Sequence, residues 1–158
     1  MNTAITQELF GDNLNKSFTL AEVLSSLDKL DFLNHGEMAE VAISRKSGVK
    51  QCAKLTENID LENGIQIKHA KTHLRPKGYW IATISRNTTA PMFVVIYETN
   101  TKKEYFLNIP YHAHAHLSGK TISISFGKDG VDSTSQWWKY EVESFEKLCK
   151  MAKCLKNH

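Results

Sequence analysis

The chain has 158 residues, a formal net charge of +3 and 41% hydrophobic residues, which suits one domain with a real core rather than two. No window approaches ~18 uninterrupted apolar residues, which excludes a membrane-spanning helix. The opening MNTAITQELFGDNLNKSF lacks the basic-then-apolar pattern of a secretory signal, so a cytoplasmic protein with no membrane partner is expected.

Residues 1–16 are polar and read as irregular chain. Thr19-Leu-Ala-Glu22 has the form of a capping box, and Leu20, Val23, Leu24, Leu27 and Leu30 follow at helical spacing, predicting a helix over 20–30. A second helix is predicted over 36–46, with Gly48 as its stop. Met38, Val41, Ala42 and Arg45 define one stripe, and Glu37, Glu40 and Ser44 define another. Strand patterns follow at 49–55, then at 59–61 and 65–70 around a Glu-Asn-Gly turn signal that suggests a hairpin. Residues 78–85 read as a strand or a buried helix, and 91–98 is a continuous apolar run that suits a strand buried on both faces. Residues 104–109 and 120–126 are further strands. Between them the YHAHAH segment is either two helical turns or a loop, and 140–156 has the spacing of a closing helix. The order predicts an α/β (α+β) domain with a mixed central sheet flanked by helices.

Charge is unevenly spread. Residues 66–128 hold nine Lys/Arg against Glu98 and Glu104, a net +7, and leave the remainder at −4. Five of the seven histidines lie in the same block. A basic block in a mildly acidic chain is the footprint of a phosphate-binding face, though a solvated basic surface has the same composition. Cys52, Cys149 and Cys154 form no C-x-x-C and read as reduced thiols.

The stretch NIDLENGIQIKHAKTH carries the most chemistry. In a strand Gln66 and Lys68 share a face and Ile67 points to the other. Asp60, across the short turn, brings a carboxylate near both. A carboxylate, an amide oxygen and the Ile67 carbonyl are hard oxygen ligands that suit Mg²⁺ or Mn²⁺. A nearby lysine suits orientation of a water or stabilisation of a phosphorane. On its own the pattern also fits a solvent-facing strand with Asp60 in a turn.

The surroundings resemble the PD-(D/E)xK nuclease superfamily. The matching features are Glu37 or Glu40 on a helix, then Asp60, then Gln66-Ile67-Lys68, in the order and spacing of that family from about residue 36 to 109. Gln66 in place of the usual Glu is similar to a Q-x-K variant of some restriction and intron-associated nucleases. Ile59 stands where the family name has proline, and Gln66 brings no charge. The resemblance implies a restriction-endonuclease-like core over 35–158, with residues 1–34 as a helical extension, and a helix and further strands after the Gln-x-Lys strand. It implies a Mg²⁺- or Mn²⁺-dependent endonuclease, type II restriction-like, acting on double-stranded DNA as a homodimer. Asp60, Gln66 and the Ile67 carbonyl would hold the metal, Lys68 would position the attacking water and Glu37 would be a further acid. A homing endonuclease, a Holliday-junction resolvase of the same fold, and a non-catalytic DNA-binding module are the alternatives.

DNA contacts are expected from His69, Lys71, Thr72, His73, Arg75, Lys77 and Arg86, with cations on phosphates and His, Thr and Arg reaching base edges. His112, His114 and His116 would face one side of a strand and invite a metal reading, but no carboxylate lies near them in sequence. Trp137 and Trp138 suit either base stacking or burial.

Overall fold

The computed structural model describes residues 3–5, 7–9, 35–53, 59–85, 90–127, 130–131 and 135–155. The helix expected over 20–30 and the DNA contact expected at Arg86 lie outside these residues. Residues 4–5 and 7–9 are helical rather than irregular, and Ile5 is buried in the core.

Helix α1 spans His35–Ser47, close to the expected bounds. Gly48 ends it with φ 76 and donates its N–H to the Ser44 carbonyl at 2.9 Å, the left-handed stop that glycine adopts without strain. The buried stripe is Met38, Ala39, Ala42 and Ile43, shifted from that of Met38, Val41, Ala42 and Arg45. Arg45 is exposed and Val41 half-buried, because the helix turns its alanines to the sheet.

The strands are β1 (Gln66–Leu74), β2 (Trp80–Ser85), β3 (Met92–Glu98), β4 (Lys103–Ile109), β5 (Thr121–Gly127), β6 (Gly130–Val131) and β7 (Glu141–Val142). One helical turn, α2 (Tyr111–His114), lies between β4 and β5, and α3 (Phe145–Cys154) closes the described chain. The sheet order is β6-β5-β2-β1-β3-β4-β7. Only β1 and β3 run parallel; the other neighbours are antiparallel. The molecule is a mixed α+β fold. Among the described residues no helix is long and apolar enough to cross a membrane.

Two cores lie on the two faces of the sheet. On one, α1 and α3 cover Ile67, Phe93, Val95, Phe106 and Val142. On the other, Ala70, Ile84, Val94, Ile96, Leu107, Ile122 and Ile124 pack together with Trp137 and Trp138. Every residue of β3 is buried, as its unbroken apolar run requires. Tyr105 on β4 and Phe126 on β5 are separated by three strands in the sheet, yet their rings are 5.4 Å apart. The sheet therefore curls on itself. Trp138 bridges the curl, edge-on to both rings at 5.5 and 4.9 Å, with Nε1 donating to the Ser125 carbonyl at 2.9 Å. Both tryptophans are buried in this core, so neither is presented to a base.

Several expectations about the order of elements fail. The strand expected over 49–55 is, over its described residues 49–53, only an isolated bridge at Gln51. The helix implied after the Gln-x-Lys strand is absent among the described residues: β1 turns directly into β2 through a tight loop. The closing helix starts at Phe145 rather than 140, because Gln136–Tyr140 forms a 3₁₀ turn and Glu141–Val142 joins the sheet edge. Ser144 then caps α3 by accepting the Lys147 N–H.

Candidate active site

The sheet splits where β1 begins. β1 pairs with β3 from Gln66 to Lys71. It pairs with β2 only from Thr72 to Leu74. Below that point β2 runs on with β5 as far as Ser85. Among the described residues the first half of β1 has a strand partner only on its β3 edge, and Gln66, Ile67 and Lys68 lie where this split from β2 begins.

Alternation along β1 determines what faces this opening. The Gln66 N–H points to β3 and donates to the Pro91 carbonyl at 3.0 Å. The Ile67 N–H points to the other edge, where Asp60 Oδ2 accepts it at 2.5 Å. In an extended strand the N–H and C=O of one residue face the same edge, so the Ile67 carbonyl faces Asp60 as well. This is the carbonyl expected from the sequence to join Asp60 as a ligand.

Asp60 reaches this position by a route that differs from the expected hairpin. Residues 59–61 are not a strand paired with 65–70. Asp60 sits in a bend, and both its N–H and that of Leu61 donate to the Ile65 carbonyl, at 2.8 and 3.1 Å. Those bonds close a tight loop and leave no room for a ladder. The loop is pinned elsewhere too. The Cys52 N–H donates to the Asp60 carbonyl at 2.9 Å, Leu61 bridges Gln51, and Leu61 and Ile65 are fully buried. Asn63 Nδ2 donates to the Ala152 carbonyl at 2.7 Å, capping the end of α3, and Gly64 takes φ 91. The Glu-Asn-Gly signal is thus an anchor to the closing helix that holds Asp60 still.

Glu40 of α1 faces the same opening. Its carboxyl is pushed up to about 7, first by burial, then by the negative charges of Asp60 and Glu37, with Lys68 acting in the opposite sense. Asp60 is raised by burial as well, and the Ile67 N–H and Lys68 partly offset this. Both acids therefore share the electrostatic field of Lys68. The sequence left Glu37 and Glu40 open and put Glu37 first. Glu37 lies one turn earlier and adds its charge to Glu40, and Glu40 is coupled to both Asp60 and Lys68. Lys68 is half-buried, and its Nζ donates to Ser85 Oγ at 3.2 Å across the split.

Gln66 is buried, and its Oε1 has no hydrogen-bond partner. An orphaned buried acceptor costs about 1–3 kcal/mol unless something binds it. A hard cation or a donor would do so. Among the described residues no group of three His, Cys, Asp or Glu side chains is placed to hold a metal ion. A cation here would rely on the mixed oxygen set of Asp60, the Gln66 amide and the Ile67 carbonyl, with Glu40 adding charge. That set fits Mg²⁺ or Mn²⁺ rather than a thiophilic metal.

The other expected contacts divide by burial. Lys71, His73, Arg75 and Lys77 are exposed and His69 is half-buried. Thr72 is a correction. It is buried, and its Oγ1 accepts the Thr99 N–H at 2.9 Å, so it locks β1 to the β3–β4 turn and reaches no base. The histidine triplet does not converge either. α2 buries His114, whose Nε2 lies 2.8 Å from the Ala90 carbonyl, and leaves His112 and His116 exposed. Sequence reasoning missed Ser85, the partner of Lys68, and Asn63, the anchor of the Asp60 loop. Register counting along β2 would have pointed to Ser85. No local signal points to Asn63, because its partner lies 89 residues away. No protein-family model and no curated protein matches the chain.

Proposed function

We propose that the chain is a divalent-metal-dependent DNA endonuclease with a restriction-endonuclease-like site. The observation that carries this reading is the meeting of Asp60, Glu40 and Lys68 where β1 splits from β2, with Asp60 accepting the Ile67 N–H. Two carboxylates held close to Lys68, an orphaned amide oxygen and one amine are the parts phosphodiester hydrolysis needs.

Asp60, Gln66 and the Ile67 carbonyl would hold Mg²⁺ or Mn²⁺, which supplies Lewis-acid polarisation of the phosphodiester. Lys68, steadied by Ser85, orients the attacking water and offsets charge on the phosphoryl oxygens. Glu40 and Glu37 add negative charge that favours the cation. Water attacks phosphorus in line and the P–O3′ bond breaks. The products are a 5′-phosphate and a 3′-hydroxyl.

Double-stranded DNA is the proposed substrate because of charge. No Asp or Glu occurs from Gln66 to Tyr97, or from Tyr105 to Lys128. The whole β5–β2–β1 arm is therefore free of acids apart from those brought to its root by α1 and the Asp60 loop. Lys71 and its neighbours would hold the duplex. A homodimer would allow both strands to be cut. A site-specific restriction-like enzyme gives discrete fragments; a resolvase gives cleavage only of four-way junctions.

The test is nicking of supercoiled plasmid by the purified chain in Mg²⁺ or Mn²⁺, with EDTA as control. Metal-dependent nicking supports the reading. DNA retention in a gel with no cleavage under either metal replaces it with a binding module.

A further inference from the structure

We infer that the tip of the β1–β2 hairpin, from His73 to Tyr79, is a finger that enters the major groove of duplex DNA about seven base pairs from the cut. The inference deepens the nuclease reading. It rests on that reading for the position of the cut and not for the contact with DNA.

The tip is unusual in this molecule. Leu74 is 56% exposed and Tyr79 is 43% exposed, two of the four large hydrophobic side chains exposed among the described residues. They flank Arg75-Pro76-Lys77-Gly78, so apolar surface and cations alternate over six residues. The backbone is stiff. The Arg75 N–H donates to the Tyr79 carbonyl at 2.8 Å, and the Gly78 N–H donates to the Arg75 carbonyl at 2.9 Å. Gly78 takes φ 86, which other residues adopt only with strain. A preformed tip loses little conformational freedom on binding.

Charge identifies the occupant. His73, Arg75 and Lys77 project there with no acid in the hairpin, so an anionic partner is favoured. A two-stranded ribbon has the width that the major groove admits. Leu74 and Tyr79 would lie against thymine methyls and base edges, and Arg75 and Lys77 against guanine or phosphate.

Geometry gives the offset. The strand from Ile67 to Arg75 rises about 3.3 Å per residue, which places the tip about 25 Å from the split. With β1 running along the duplex axis, that length corresponds to roughly seven pairs at 3.4 Å each. The catalytic end and the reading end would thus be opposite ends of one strand, β1.

The test uses the full chain and a 30-base-pair mixed-sequence duplex without divalent ions. Arg75→Ala with Lys77→Ala should lower affinity ~10- to 100-fold and reduce the slope of log affinity against log salt by about 2. Leu74→Ser with Tyr79→Ser should lower affinity about tenfold and leave that slope unchanged, since no phosphate contact is lost. All four side chains are exposed, so melting temperatures should stay near wild type. Photo-crosslinking from p-benzoylphenylalanine at position 79 should label the duplex and, in Mg²⁺, map about seven base pairs from the cut. Wild-type affinity in both double variants, or adducts between two protein copies and none on DNA, overturns the inference. Adducts on DNA without any cleavage keep the finger and reject the nuclease reading. Cleavage with no adduct and no loss of affinity does the reverse.

Discussion

The two halves of β1 have opposite surroundings. From Gln66 to Lys71 the strand pairs with β3, and among the described residues acids are brought to its other edge by α1 and by the Asp60 loop. From Thr72 to Leu74 it is paired with β2, continues into an acid-free hairpin and carries exposed cations. One strand thereby joins an acidic end to a basic one. The difference comes from pairing: where β2 does not pair with β1, the Asp60 carboxylate accepts the Ile67 N–H.

This contrast can be broken most severely at Asp60. Asp60→Ala removes the proposed ligand and the acceptor of the Ile67 N–H. Metal-dependent nicking should fall by at least ~10³-fold, and stability by about 1–3 kcal/mol from the unpaired N–H, read by urea denaturation. The corresponding double change at the hairpin tip should leave stability unaltered.

Leu61→Ala tests the anchor of the Asp60 loop without touching the charges. Leu61 is fully buried, so a loss of about 2–5 kcal/mol is expected. Cleavage should decline with it, because Asp60 is no longer held. Full cleavage by a folded Leu61→Ala protein would mean that the loop's rigidity is irrelevant.

Gln66→Leu sharpens the comparison in a finer way. Replacing an orphaned amide by an apolar group of similar size should raise stability by about 1–3 kcal/mol, the cost of the unmet acceptor. The Mg²⁺ concentration that gives half-maximal nicking should rise about tenfold, a change of ~1.4 kcal/mol. An amide with a merely structural role would leave that concentration unmoved.

The smallest effect is electrostatic. Glu40 titrates at about 7 in the folded chain against an ordinary value of 4.5. The native state therefore keeps a proton that the unfolded chain releases between those values, and stability falls as pH rises through that window. In EDTA, Glu40→Gln should flatten this slope and raise stability at pH 7.5 by about 1 kcal/mol, allowing for solvent screening at a half-exposed site. Thermal melts from pH 4.5 to 8 read it.

Much of the scaffold was legible because it depends on local pattern. The unbroken run of β3, the stop at Gly48 and the shared face of Gln66 and Lys68 follow from period and turn chemistry. What failed depended on distant partners. Asp60 was expected on a strand, but the Ile65 carbonyl captures the backbone there and Asn63 reaches α3. The coupling of Glu40 to Asp60 and Lys68 depends on how α1 rotates against the sheet, with Ala39 and Ala42 buried. Thr72 looked like a groove contact until Thr99 was found against it. The split between β1 and β2 has no local signature at all, since it arises where β2 leaves β1 and continues with β5.

The most direct test is plasmid nicking by Lys68→Ala. Lys68 lies at the mouth of the split and its amine is partly exposed, so the variant should fold as wild type does. The account predicts that Mg²⁺-dependent nicking drops ~10²- to 10⁴-fold while duplex affinity stays within about a factor of a few. Nicking at the wild-type rate by Lys68→Ala would contradict it.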